Sequence, residues 1–120
     1  MKRDLGLLRR ILLVIEAADD GRGRDFKIEF DDVEPEIVYG HLKLLLEALF
    51  IDGIESQAIG HELIYPTRLT WEGHDFLDAI RDDNIWQKTQ AALVKVSGGA
   101  SVEVVKAFAV YAAKEILGIQ

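Results

Sequence analysis

IESQAIGHELIYPTRL, residues 54–69, is the stretch on which the fold turns. It reads as two short strands, 54–59 and 63–69, with Gly60-His61-Glu62 between them, so it predicts a β-hairpin. Thr70 follows at once as a good helix N-cap. It predicts a helix over 71–81, with Glu72 favourably placed at the positive end. On the other side, Asp52-Gly53 has turn chemistry.

Upstream of that turn, residues 33–51 predict a helix that is apolar around most of its circumference. Ile37, Val38, Leu42, Leu44, Leu45, Leu46, Leu49 and Phe50 leave only a narrow polar strip of Glu36, Gly40, Lys43 and Glu47. Such a helix is buried on several sides. Asp31 or Asp32 can cap it, and Pro35 suits its first turn. Before it, Phe26-Lys27-Ile28-Glu29-Phe30 alternates apolar and polar residues, the pattern of a half-buried strand.

The chain opens with a predicted helix over 3–18. Leu5, Leu8, Ile11, Leu12, Val14, Ile15 and Ala18 fall on one half of the wheel, and Lys2, Arg9, Arg10 and Glu16 on the other. Leu13 stands among the charges, either as a lone exposed leucine or as an interface residue. Asp19-Asp20-Gly21-Arg22-Gly23 ends the helix.

Downstream of the hairpin, Asp82-Asp83-Asn84 restarts the chain, and Asn84 with Gln87 resembles a capping box for a helix to about residue 96. Ser97-Gly98-Gly99 is a break, and Ser101 caps a last helix to about residue 117. Val102, Val105, Phe108, Ala109, Ala112 and Ile116 form its apolar face.

The fold class expected is therefore α+β and mostly helical. A winged-helix-like domain, in the order helix, strand, helix, two-stranded wing, is followed by C-terminal helices. One domain spans 1–120, with the winged-helix-like core at 1–70, the wing at 54–69 and the added helices at 71–120. The usual second helix of a winged helix is missing.

At 120 residues the chain can bury about two thirds of its unfolded surface without a staple. It has no cysteine, which excludes zinc fingers, iron–sulfur clusters and thiol catalysis. The N-terminal apolar run is broken by charges and does not read as a signal peptide, and no stretch is long enough to span a membrane. The expected location is the cytoplasm of a bacterial cell.

Few motifs carry chemistry. His61-Glu62 lacks the second histidine of a metalloprotease helix, because Tyr65 occupies that place. His74, Asp75 and Asp78 could ligate a metal, but a histidine bonded to nearby backbone is the plainer reading. His41 reads as a satisfied core or interface histidine. No phosphate loop and no nucleophile elbow is present. Trp71, Phe76 and Trp86 lack basic neighbours in sequence and read as core or groove residues rather than base-stacking ones. The expectation is a non-enzymatic protein with no cofactor and no metal.

Two segments, MKRDLGLLRRILLVIE and RLTWEGHDFLDAIRDDNIW, together with YGHLKLLLEALFIDG between them, carry a family likeness. They resemble a family of uncharacterised bacterial and phage proteins, domain of unknown function 2513, found often in prophage regions. The likeness runs from Met1 to about Lys88. Leu69-Thr70-Trp71-Glu72-Gly73-His74-Asp75-Phe76-Leu77 also resembles the Leu-Thr-x-x-Gly-x-x-x-Leu pattern that winged-helix proteins place after the wing. Before Ile51, winged-helix sequences often read Gly-Leu, and here Phe50 follows Leu49. The resemblance implies a fold and transfers no site residue. Its genomic setting implies a further role, a phage-encoded inhibitor of a host protein.

Charge divides the remaining readings. The net charge is −7. Residues 1–27 hold seven Lys and Arg against five acids, and the rest holds seven against sixteen. Nucleic-acid binding needs a basic footprint. The candidate contacts are Lys2, Arg3, Arg9, Arg10, Arg22, Arg24, Lys27, Lys43 and Arg68. Glu36 and Glu47 on the candidate recognition helix, and Glu55 and Glu62 on the wing, oppose that reading. The sequence therefore points first to a protein-interaction or dimerisation module, with a DNA-binding regulator as the alternative. The expected partner is a second copy or another protein, through Leu13, Val105, Phe108, Ala112 and Ile116.

Overall fold

The computed structural model describes residues 1–96 and 100–119, which places Ser97-Gly98-Gly99 outside the described residues. The described residues form five helices and a two-stranded antiparallel sheet. The fold is α+β and mostly helical. The chain divides into two compact units, Met1–His74 and Asp75–Gln120.

In the first unit, α1 (Leu5–Ala18) begins where the Asp4 carboxylate accepts the Leu7 N–H at 3.1 Å. Leu7, Leu8, Ile11, Leu12 and Ile15 are buried. Leu7 takes the place expected for Val14, which is exposed. Asp19 and Asp20 accept the backbone N–H groups of Gly21 and Arg22, closing the turn that ends the helix.

Helix α2 (Pro35–Glu47) starts with Pro35 at its first position, where the missing N–H costs nothing. Neither Asp31 nor Asp32 caps it. Glu34 holds the cap position without a side-chain bond, and Asp32 is engaged by Arg10. The helix packs on α1 and on both strands, as its apolar circumference requires. It stops at Glu47, four residues short of the expected end. Leu49 turns to φ +60°, and Phe50 donates back to the Leu45 carbonyl at 3.0 Å.

Strands β1 (Ile51–Ala58) and β2 (His61–Leu69) pair antiparallel from Ile51↔Leu69 to Ala58↔His61. The loop is only Ile59-Gly60, tighter than expected, with Gly60 at φ +78°. Asp52-Gly53 is not a turn but part of β1, at a register shift. A side chain at Gly53 would stand 3.0 Å from the Tyr65 carbonyl oxygen.

The expected strand 26–30 does not form. Its alternation survives, with Ile28 buried, Phe26 and Phe30 half-buried, and Lys27 and Glu29 exposed. A backbone bond ties it to the hairpin, from the Phe26 N–H to the Pro66 carbonyl at 3.2 Å. Proline has no N–H to return, so a reciprocal ladder pair cannot form there.

Helix α3 (Trp71–Ile80) begins in the first unit. Thr70 Oγ1 accepts the Gly73 N–H at 3.1 Å and donates to the Leu49 carbonyl at 2.6 Å. The second unit holds the rest of α3 with α4 (Asp83–Leu93) and α5 (Val102–Leu117). Asp82, not Asn84, caps α4, accepting the Ile85 N–H at 2.9 Å. Ser101 caps α5 through the Val104 N–H at 3.2 Å. Helices α4 and α5 pack on one another, with Lys88 and Glu115 paired across them.

Candidate functional site

The first unit carries a cleft of about 440 Å³ between segment 27–35, α2 and the inner part of β2. That volume lies within the range of ligand pockets, about 300–1,000 Å³. Its apolar lining comes from Ile28, Phe30, Val33, Val38, Leu42 and Leu63, with Tyr39 and Tyr65 adding rings that end in hydroxyls. Four carboxylates line it as well, Glu29, Asp31, Asp32 and Glu34, against the single cation Lys27.

Two of those carboxylates are engaged. Arg10 grips Asp32 through two bonds of 3.0 Å and lies 4.5 Å over the Phe30 ring centroid. The hydrogen bond from Arg10 holds the Asp32 carboxyl below its ordinary value. Lys27 pairs with Glu29 at 2.9 Å, and that bond raises the Lys27 ammonium above its ordinary value. Asp31 and Glu34 are exposed and make no ion pair among the described residues. The cleft therefore offers an apolar surface with two carboxylates available.

Five of the nine candidate nucleic-acid contacts are paired with carboxylates. Arg10, Lys27 and Arg24 are paired with Asp32, Glu29 and Asp20. Lys43 pairs with Glu55 at 2.5 Å, which raises the lysine above its ordinary value. Arg68 pairs with Asp52 at 3.0 Å and also donates to the Leu69 carbonyl. Lys2, Arg3 and Arg22 are exposed, and Arg9 is half-buried.

Of the candidate interface residues, Val105 and Ala112 are buried within the chain. The Val105, Ala109 and Ala112 part of the α5 apolar face is thus covered in the folded chain. Phe108 and Leu13 are half-buried, and Ile116 is exposed.

His41 is fully buried and satisfied. Its Nε2 accepts the Asp4 N–H at 2.9 Å and its Nδ1–H donates to the Ile37 carbonyl at 2.8 Å. A backbone N–H can only donate, so the ring is the neutral Nδ1–H tautomer. Asp78 is bound by Arg81, and among the described residues no group of three His, Asp or Glu is placed to hold a metal. Phe76 and Trp86 are buried, whereas Trp71 is exposed. No helix of the described chain is long and apolar enough to cross a membrane.

The sequence reading did not single out Asp31, Glu34, Tyr39 and Tyr65 as a site. The available signal was local: five acids stand between residues 29 and 36, directly after an alternating apolar segment.

Residues 2–100 match the family described as hypothetical protein (DUF2513). A protein of Haemophilus influenzae strain Rd, described as an uncharacterized protein, is 33% identical over 106 residues, covering 88% of this chain and 90% of its own. No solved structure matches the chain. On the extent of these two matches, the chain belongs to the DUF2513 family, whose function is unknown.

Proposed function

We propose that this chain is a winged-helix-like protein-interaction module. In this reading it docks a basic segment with apolar anchors, supplied by a partner protein, in the cleft between residues 27–35, α2 and β2. The carrying observation is the cleft itself, an apolar lining beside the unpaired carboxylates Asp31 and Glu34. Complementary charge sets which partner enters and in which register. The winged-helix comparison draws support from a hairpin that follows α2 and leads into a threonine-capped helix. Pairing of Arg10, Arg24, Lys27, Lys43 and Arg68 with carboxylates weighs against a nucleic-acid partner, since paired cations release fewer counterions on binding phosphate.

The test is an amide-shift titration of the full chain with a short model peptide of alternating lysine and leucine. Its glutamate–leucine counterpart and a random DNA duplex serve as controls. Saturable shifts are expected at Val38, Tyr39, Leu42 and Leu63 with the lysine peptide alone. Asp31→Lys with Glu34→Lys should weaken that binding by about tenfold or more, equivalent to about 1.4 kcal/mol. Saturable binding of the duplex at low salt, or no clustered shifts with the lysine peptide, overturns the proposal.

A further inference from the structure

The buried face of α5 is Val105, Ala109 and Ala112. At 3.6 residues per turn the opposite face is Glu103, Ala107, Val110, Lys114 and Leu117, with Tyr111 and Val104 along one flank. The stripe is open to solvent: Val110 is 50% exposed, Tyr111 65% and Leu117 69%, and Glu103, Ala107 and Lys114 are also exposed. Its spacing of four, three, four and three residues is that of a helix-pairing seam. Glu103 and Lys114 make no ion pair among the described residues.

The charges on this stripe select a partner. Against a parallel copy, Glu103 would meet Glu103 and Lys114 would meet Lys114. Against an antiparallel copy in the register that seats Ala107 on Val110, Glu103 meets Lys114 at both ends. The two central layers each set a small residue against a larger one, which lets the helices approach closely. Val104 and Tyr111 share the flank that the antiparallel partner would line. We infer that a second copy of this chain docks antiparallel on the outer face of α5.

The contact is a single pair of 16-residue helices. Stable interfaces bury about 1,200–2,000 Å² in total, and one such helix pair lies near or below that range. The dimer is therefore a weak one. The inference uses a surface other than the cleft, so its failure leaves the peptide titration unaffected.

Sedimentation equilibrium of the full chain tests it. The mass should rise from 13.5 kDa toward twice that value between about 10 μM and 1 mM, as for a dissociation free energy of roughly 4–7 kcal/mol. Lys114→Glu and Glu103→Lys should each weaken association by about tenfold or more, and the double exchange should restore it. Both residues also complement the helix dipole, Glu103 in the first turn and Lys114 in the last. If that is their whole role, the reversals lower Tm, the double exchange is the least stable, and the mass does not respond. That result overturns the inference, as does a wild-type chain that stays monomeric at 1 mM.

Discussion

Leu49 carries the one positive φ among the described non-glycine residues, at +60°. A left-handed backbone costs an L-residue roughly 1–2 kcal/mol, and nothing covers the leucine in return, since its side chain is 70% exposed. Leu49→Gly should therefore stabilise the chain by about 0.5–1 kcal/mol in urea unfolding, the relief of strain being partly offset by the freer unfolded chain. Leu49→Val should destabilise it. His41 is the opposite case, a polar side chain fixed at both nitrogens. His41→Ala leaves the Asp4 N–H and the Ile37 carbonyl without their ring partner and opens a cavity beside them. The expected loss is about 2–4 kcal/mol, measured the same way. Gly73 is constrained by space. A Cβ there would stand 2.0 Å from the Phe50 carbonyl oxygen, so Gly73→Ala should cost about 1–3 kcal/mol or more.

At the level of elements, side chains that act on their own neighbours were readable. The Thr70 and Ser101 caps, Pro35 at the start of α2, and the alternation of 26–30 all follow from local chemistry. Features decided by distant residues were not. Whether 26–30 joins a ladder depends on Pro66, some forty positions later. The end of α2 depends on Leu49 accepting an unfavourable backbone. The cap of α4 went to Asp82 because Asp82, Asp83 and Asn84 offer competing oxygens. The apolar face of α5 was evident, but a wheel does not distinguish a face covered within the chain from one covered by a partner. The cleft was the least legible part, because its Asp32 is engaged by Arg10 from 22 residues away; elsewhere Lys43 and Glu55 pair across 12. Pairing at such distances is a property of the packed helices and hairpin. It also sets a pH response. Asp32 titrates lower in the folded chain than in the unfolded one, so its pair with Arg10 stabilises above the ordinary aspartate value of about 3.9. That contribution fades as pH falls through the lower, folded value. The stability difference between wild type and Asp32→Asn should be constant from pH 5 to 7 and shrink on acidification. Lys43 is raised, so its contribution is present below about 10.4 and is lost as pH climbs past the folded value.

For the whole molecule, the net charge of −7 and an isoelectric point near 4.9 govern its long-range behaviour. At neutral pH the chain should bind an anion exchanger and pass through heparin at about 0.1 M salt, where fields extend only about 10 Å. Retention on heparin would show that the cations of residues 1–27 act together despite their paired carboxylates. Near the isoelectric point that repulsion disappears, and the outer edge of β2 becomes important. An open strand edge is a template on which a second molecule can extend the sheet and seed fibrils. At Pro66 that edge has no donor, and its carbonyl already accepts the Phe26 N–H, so segment 26–30 covers the edge there and an arriving strand finds no pair to make. The segment that falls short of a third strand thus still shields the protein from its own copies, and Phe26→Pro, which removes the N–H that holds it to Pro66, should yield more thioflavin-positive aggregate when the chain is warmed at pH 5.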